Sequence, residues 1–372
     1  MPPLSDLTGL LEQVWATKIV TNEGPLHNRL EAELASLLRV PTARLFCNGT
    51  AALQVAILSL NLPAGSEIIT SPLTFAATAH AITASGFHPI FADVDEHTLT
   101  LDPRAVERAI SDKTGAVIGV HVYGTLCDHR SLRNLCSATG LKLIYDAAHA
   151  FGAVDNGTPV GQLGDMSMFS LHATKLFNTF EGGLLTTNDP ELGEQLRLIR
   201  NFGIVDEETV STVGINAKMG ELHAAVGLAN LKYFRQEQVT RRNLRARYDE
   251  VMARFPGVRV HATQPGVESS EQYYMVRIDP EVFGATRDDL YNSLKERNIY
   301  SRRYFWPICT DFECYRDHEI VSISNVPVTE RIKNQVLCLP FHSGVEQVHI
   351  SIMADVFEKA RREADRKTHA RA

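Results

Sequence analysis

The sequence predicts an α/β fold: a mostly parallel, seven-stranded sheet in a large domain over residues 1–239, then a smaller C-terminal α+β domain over 240–372. Three observations carry this. From about residue 25 to 230, short apolar runs alternate with helix-like segments, the order in which a chain builds β–α–β units. The runs are near-continuous in Val, Ile, Leu and Phe, as strands covered by helices on both faces require. At 372 residues the chain is long for one core and suits a large domain plus a smaller one.

Taken in order, Leu30 to Leu38 reads as an amphipathic helix. ARLFCNG reads as a strand entering a turn, and a helix starts at Thr50 with TAALQVAILSL. EIITSP, HPIFADV, GAVIGVHV, LKLIYDA, DMSMFSLH and GGLLTTN supply the remaining runs of strand length. Between them ATAHAITAS, DPRAVERAIS and HRSLRNLCSATG read as helices, the second with Asp102 as cap ahead of Pro103. Ala217 to Arg247, poor in Gly and Pro, predicts a long helical connection into the second domain. There QYYMVRID and QVLCLP are strand candidates, and Arg287 to Arg297 and Val345 to Arg362 are helix candidates. The polar end, READRKTHARA, predicts a frayed tail.

A formal charge of −7 gives no electrostatic reason to expect nucleic acid or an anionic membrane as partner. The opening MPPLSDLTGL lacks a basic segment ahead of an apolar run, and no run of about 18 apolar residues occurs, so neither a secretory signal nor a membrane span is expected. Six scattered cysteines without a CxxC pair predict reduced thiols in a cytoplasm. The absence of HExxH and of paired CxxC spacing argues against a metal site.

Two segments hold the candidate chemistry, IYDAAHAFG from Ile144 and SLHATKLFNTFEGG from Ser170. Lys175 lies on a short polar turn after one strand, and Asp146 ends another. Ligands of open α/β sheets gather outside the carboxyl ends of strands. An amine and a carboxylate placed there suit pyridoxal 5′-phosphate (PLP): Lys175 would hold the aldehyde and shuttle a proton, and Asp146 would hold the ring nitrogen protonated. Alone, Lys175 also reads as a surface lysine and Asp146 as an N-cap. Asn48-Gly49-Thr50 stands at a strand-to-helix junction, where a phosphate or an ordinary cap both fit. Ser170 adds a hydroxyl at a strand end. His149 could meet the phenolic oxygen or simply pack in the core, and Phe75 could cover a ring face or do the same.

Together these segments resemble the nucleotide-sugar aminotransferases of the DegT/StrS type, which are fold-type-I PLP enzymes of aspartate aminotransferase-like architecture. The resemblance runs from about Thr21 to Pro307 through CNGTAAL, SPLTFAATAHAI, FADVDEHTLTLDP, VHVYGTLCD, IYDAAHAFGA, FSLHATKLFNTFEGG, RNFGI and GINAKMGELHAA. It implies PLP bound covalently to Lys175, with Asp146 on the pyridine nitrogen and Phe75 and Ala148 on opposite ring faces. It further implies His149 at the phenolic oxygen and Gly49, Thr50 and Ser170 around the phosphate. Asn216 would reach the phosphate from the neighbouring subunit, which makes the expected assembly a homodimer with composite sites. Family members usually carry Phe where Leu171 stands, and many carry Gln in place of His149; neither departure removes an essential atom.

Dehydratase relatives have His at the Lys175 position, so the retained amine implies transamination. The resemblance of IYSRRYFWPIC, VHVYG and DAAHAFG implies L-glutamate as amino donor and C4 of a dTDP-4-keto-6-deoxyhexose as acceptor. Arg302, Arg303 and Tyr304 could meet the nucleotide diphosphate or the glutamate carboxylate, or be surface groups on an exposed turn. Two alternatives stand beside this reading: amination at C3 of a 3-keto nucleotide sugar, and a PLP-binding regulatory protein without turnover. A nicotinamide enzyme is disfavoured because no GxGxxG follows a strand.

Overall fold

In the computed structural model, which describes residues 1–316 and 325–369, the expected strands form one seven-stranded sheet. They are β1 (Thr42–Phe46), β2 (Glu67–Thr70), β3 (His88–Phe91), β4 (Thr114–Val120), β5 (Lys142–Asp146), β6 (Met166–Ser170) and β7 (Gly183–Thr187). Their spatial order is β1-β7-β6-β5-β4-β2-β3. Only β7 opposes its neighbours, pairing antiparallel with both β1 and β6; the other pairs are parallel. Pro89 lies in β3, at a sheet edge, where a missing N–H is tolerated.

Adjacent strand residues enter opposite cores, because successive side chains point to opposite faces. Leu45, Ile69, Val117, Leu143 and Leu184 join one cluster, with helices Pro25–Leu38 and Glu221–Leu231. Phe46, Ile68, Ile118, Ile144 and Leu185 join the other, with helices Gly49–Leu58 and Ala76–Ala84. Burial on both faces is why these strands read as unbroken apolar runs.

A second core surrounds a three-stranded antiparallel sheet of β8 (Val258–Val260), β9 (Tyr274–Ile278) and β10 (Val336–Leu339). Tyr248, Tyr274, Phe283, Leu294, Leu337 and Phe357 fill it. Helix Arg287–Glu296 begins with a capping box in which Thr286 and Asp289 satisfy each other's backbone N–H groups.

Several boundaries differ from expectation. The helix placed at Leu30 starts at Pro25, where Glu221 accepts the otherwise free N–H groups of Leu26 and His27. The helix placed at Thr50 starts one residue earlier, at Gly49 behind the Asn48 cap. The single helix expected from Ala217 to Arg247 is two, Glu221–Leu231 and Phe234–Met252. Ala217 cannot be helical because its backbone is engaged elsewhere, donating to Arg200 and accepting from Cys47. The chain turns at Lys232 and Tyr233 because the two segments serve different cores. Phe234 packs on Phe151 and Phe177, whereas Leu244, Tyr248 and Met252 enter the second core. One continuous helix therefore crosses residues 239 and 240. The tail expected to fray is helical from Gln347 to His369, and residues 370–372 lie outside the described residues. Helices Leu4–Thr17 and Pro190–Arg200 were not foreseen.

Candidate active site

Parallel strands deliver their carboxyl ends to one side of the sheet, and the candidate groups gather there. A cavity of about 380 Å³ is lined by Gly49, Thr50, Phe75, Asp146, Ala148, His149, Ser170 and Lys175, joined by Thr74, Tyr273, Tyr304 and Phe305. Asp146 and Lys175 come from neighbouring strands, β5 and the turn after β6.

Asp146 is buried, and both of its oxygens are held: Thr78 Oγ1 donates to Oδ2 at 2.7 Å and the Ala148 N–H to Oδ1 at 3.1 Å. Thr74 and Thr78 hydroxyls pair at 2.8 Å, one helical turn apart. The cap-like bond to Ala148 and the ligand-facing position coexist, so the two readings of Asp146 are not alternatives. Burial raises its pKa, while Thr78, Ala148 and the Lys175 charge pull it back.

Burial pushes the Lys175 ammonium down to about 8, with Asp146 opposing. Its Nζ lies 5.9 Å from the centre of the Tyr273 ring. His149 accepts the Tyr123 N–H at Nδ1 at 3.2 Å, and burial drives its pKa well below the ordinary value. The ring is therefore neutral with its proton on Nε2, a donor. Its face stacks on Phe305 at 5.7 Å with an interplanar angle of 7°. Phe75 is 62% exposed and stands 6.3 Å from Phe305, leaving its face free to cover a ring.

At the other end of the cavity, Asn48 Oδ1 caps Ala51 N at 2.8 Å, at the start of helix Gly49–Leu58. The first-turn N–H groups of such a helix lack intrahelical partners and favour an anion. A Cβ on Gly49 would stand 3.3 Å from Met168 Sδ and 3.4 Å from Ser170 Cβ, so glycine lets the helix start abut the end of β6.

The DegT/DnrJ/EryC1/StrS aminotransferase family model matches residues 5–357. The chain belongs to this family. It is 38% identical over 343 residues, covering 92% of each chain, to a dTDP-4-amino-4,6-dideoxy-D-glucose transaminase of Shigella dysenteriae. An Escherichia coli transaminase of the same name is 36% identical, covering 93% of each chain. Among solved structures, DesI in the presence of its TDP-sugar product superposes with a TM-score of 0.93 at 36% identity, covering 100% of this chain and 94% of that one.

As a DegT/DnrJ/EryC1/StrS member the chain is a PLP-dependent aminotransferase of fold type I. The donor set fits PLP: a buried carboxylate for the ring nitrogen, an amine of lowered pKa for the aldehyde, and a helix start beside a serine for the phosphate.

Asn216 does not line this cavity. It is exposed, its backbone bridges Asn201, and its Oδ1 accepts from Lys218 Nζ at 3.0 Å. Of the three residues near Ile299, only Tyr304 lines it. Arg302 is exposed and pairs its backbone with Cys338; Arg303 binds Asp288 at 3.0 Å between the Tyr291 and Trp306 rings. Sequence reasoning missed Thr74, Thr78, Tyr123, Gln272, Tyr273 and Phe305. Only the Thr74–Thr78 spacing, one turn apart at a helix start, carried a local signal.

Proposed function

We propose that this enzyme moves the amino group of L-glutamate to C4 of a dTDP-linked 4-keto-6-deoxyhexose. The observation that carries the reading is Lys175 and Asp146 meeting in one cavity at the sheet's carboxyl edge. The named activities of the Shigella and Escherichia relatives and the TDP-sugar product of DesI support the acceptor.

When bound, PLP supplies an electron-withdrawing ring that stabilises negative charge at the donor's α-carbon. Asp146, its carboxylate oriented by Thr78 and the Ala148 N–H, would keep the ring nitrogen protonated. Lys175 Nζ removes the proton from the glutamate α-carbon and, in the second half, delivers one to C4 of the sugar. Burial lowers the pKa of this amine, which favours the free base that proton removal requires. His149 would donate from Nε2 to the phenolic oxygen, Phe75 and Ala148 would cover the ring, and Gly49, Thr50 and Ser170 would hold the phosphate. The half-buried Tyr304 and buried Phe305 give the cavity an apolar wall that would limit water at the reacting atoms.

In this reading Asn216 serves the phosphate site of a second subunit in a cytoplasmic homodimer. Its exposure, and that of Phe202, Ile204, Val205, Val210 and Val213 on the same hairpin, supports the role. Among the described residues no helix is long and apolar enough to cross a membrane.

The test is incubation of the protein with PLP, L-glutamate and dTDP-4-keto-6-deoxyglucose, with the product located by NMR. A new amine at C4 is expected. An amine found only with a 3-keto sugar, at C3, would move the assignment, and no bleaching of the PLP band by glutamate would remove it.

A further inference from the structure

The loop that carries Lys175 is not held by the strand that precedes it alone. Gln272, a buried residue just ahead of β9, reaches across to it. Its Oε1 accepts the Leu176 N–H at 2.9 Å and its Nε2 donates to the Thr174 carbonyl at 3.3 Å. The two contacts fix which way the carboxamide faces, since each end satisfies a partner the other could not. They fall on the residues immediately before and after Lys175, so one side chain straddles the lysine's backbone.

Gln272 is itself anchored. Its neighbour Glu271 is buried, takes Arg245 Nε on its carboxylate at 2.8 Å, and accepts Arg241 Nη1 on its carbonyl at 3.4 Å. On the other side, Arg245 Nη2 donates to the Tyr273 carbonyl at 3.0 Å. Arg241 and Arg245 belong to helix Phe234–Met252, which runs into the second core. The chain of contacts leads from that helix, through residues 271–273, to the lysine loop. Tyr273, the next residue along, presents its ring to Lys175 Nζ.

We propose that Gln272 is the positioning residue for Lys175: by clamping Thr174 and Leu176 from the second domain, it sets the direction from which the amine addresses its target carbon. Proton transfer is steep in distance and angle, and displacement of about 1 Å costs on the order of a hundredfold in rate. A group that fixes the lysine's backbone on both sides acts on that geometry without touching substrate. The role rests on the assignment of Lys175 as the cofactor-bearing amine.

The experiment compares wild type, Gln272→Leu and Gln272→Glu, each loaded with PLP. It reads melting temperature, the kcat and KM of the L-glutamate half-reaction, and the pH titration of the visible band of the lysine-bound cofactor. Gln272→Leu is expected to lose about tenfold or more in kcat with KM unchanged. Gln272→Glu keeps the shape and the acceptor for Leu176, loses the donor to Thr174, and brings a negative charge toward Lys175. It is expected to lose kcat and to shift the visible titration to higher pH. Variants that melt with wild type and match its kcat and titration would overturn the clamp. Should Gln272→Leu fail to fold, Gln272→Glu alone decides. A wild-type protein with no visible band and no half-reaction would overturn the assignment of Lys175, and this role with it.

Discussion

Thr78 holds Asp146: its hydroxyl donates to Oδ2 at 2.7 Å inside a site where neither residue is exposed. The bond partly offsets the burial that raises the pKa of Asp146. Thr78→Val keeps the shape and removes the donor, so the carboxylate becomes harder to ionise. The acidic limb of the pH–rate profile is expected to move to higher pH, with kcat lower by about tenfold to a hundredfold, matching one lost charge-assisted hydrogen bond of about 1.5–3 kcal/mol. Steady-state kinetics across pH checks this.

Asp146→Asn separates activity from stability. The folded-state pKa of Asp146 is raised, so its contribution to stability is fully present below its unfolded pKa and is lost as pH rises through the folded value. At neutral pH its charge is a net cost to the PLP-free protein. The PLP-free Asn variant is therefore expected to melt no lower than wild type at pH 7, while turnover falls by about a hundredfold or more for want of a protonated ring nitrogen. Calorimetry and kinetics on one preparation give both answers.

Lys175 follows the same logic with the opposite sign. Its pKa is lowered to about 8, so in the PLP-free protein the stability it contributes is present above the ordinary value of 10.5 and is lost as pH falls through about 8. Lys175→Met is expected to melt about 2–4 °C above wild type at pH 7, with the difference closing toward pH 10.5. The same variant should lose about four orders of magnitude in turnover, the upper range for a proton-transfer group. Thermal melts at several pH values read the first effect.

How much of this was legible beforehand depends on where each contact comes from. Neighbouring residues such as Ile68 and Ile69 enter opposite cores, and the resulting unbroken apolar runs made the sheet readable. Asp146 and Lys175 were readable because one ends a strand and the other follows the next, and strand ends converge in this architecture. Tyr273 and Phe305, which line the cavity, and Gln272, which binds the lysine loop, were not, because they approach from chain outside the large sheet, and no periodicity encodes that approach. Helix Pro190–Arg200 escaped notice although Asp189 and Pro190 announce its start. Its buried Arg200 makes the apolar pattern incomplete. The split between Leu231 and Phe234 was invisible because no Gly or Pro marks it; tertiary packing decides it.

That buried arginine carries a fourth prediction. Burial alone would raise the pKa of Glu31, but the hydrogen bond to His27 and the charges of Arg200 and His27 outweigh it and hold the carboxyl at about 2. Arg200 Nη1 meets Glu31 Oε1 at 2.6 Å and Nη2 meets Glu23 at 2.7 Å, which ties helix Pro25–Leu38 to helix Pro190–Arg200. The stability from Glu31 is present above its ordinary 4.5 and is lost as pH falls toward 2. Arg200→Met is expected to cost about 1.5–3 kcal/mol by removing one charged partner of that carboxylate, while Arg44 Nη1 remains 3.1 Å from Oε2. Glu31→Gln is expected to flatten the acid limb of the stability profile. Denaturant melts between pH 5 and pH 2 compare the variants with wild type.

Every role proposed above depends on Lys175 carrying the cofactor while Asp146 faces its ring nitrogen. Borohydride reduction of the PLP-loaded protein, followed by proteolysis and mass mapping, tests it most directly. A phosphopyridoxyl adduct is expected on the peptide containing Lys175 and is lost in Lys175→Met. An adduct on another lysine, undiminished in that variant, would contradict it.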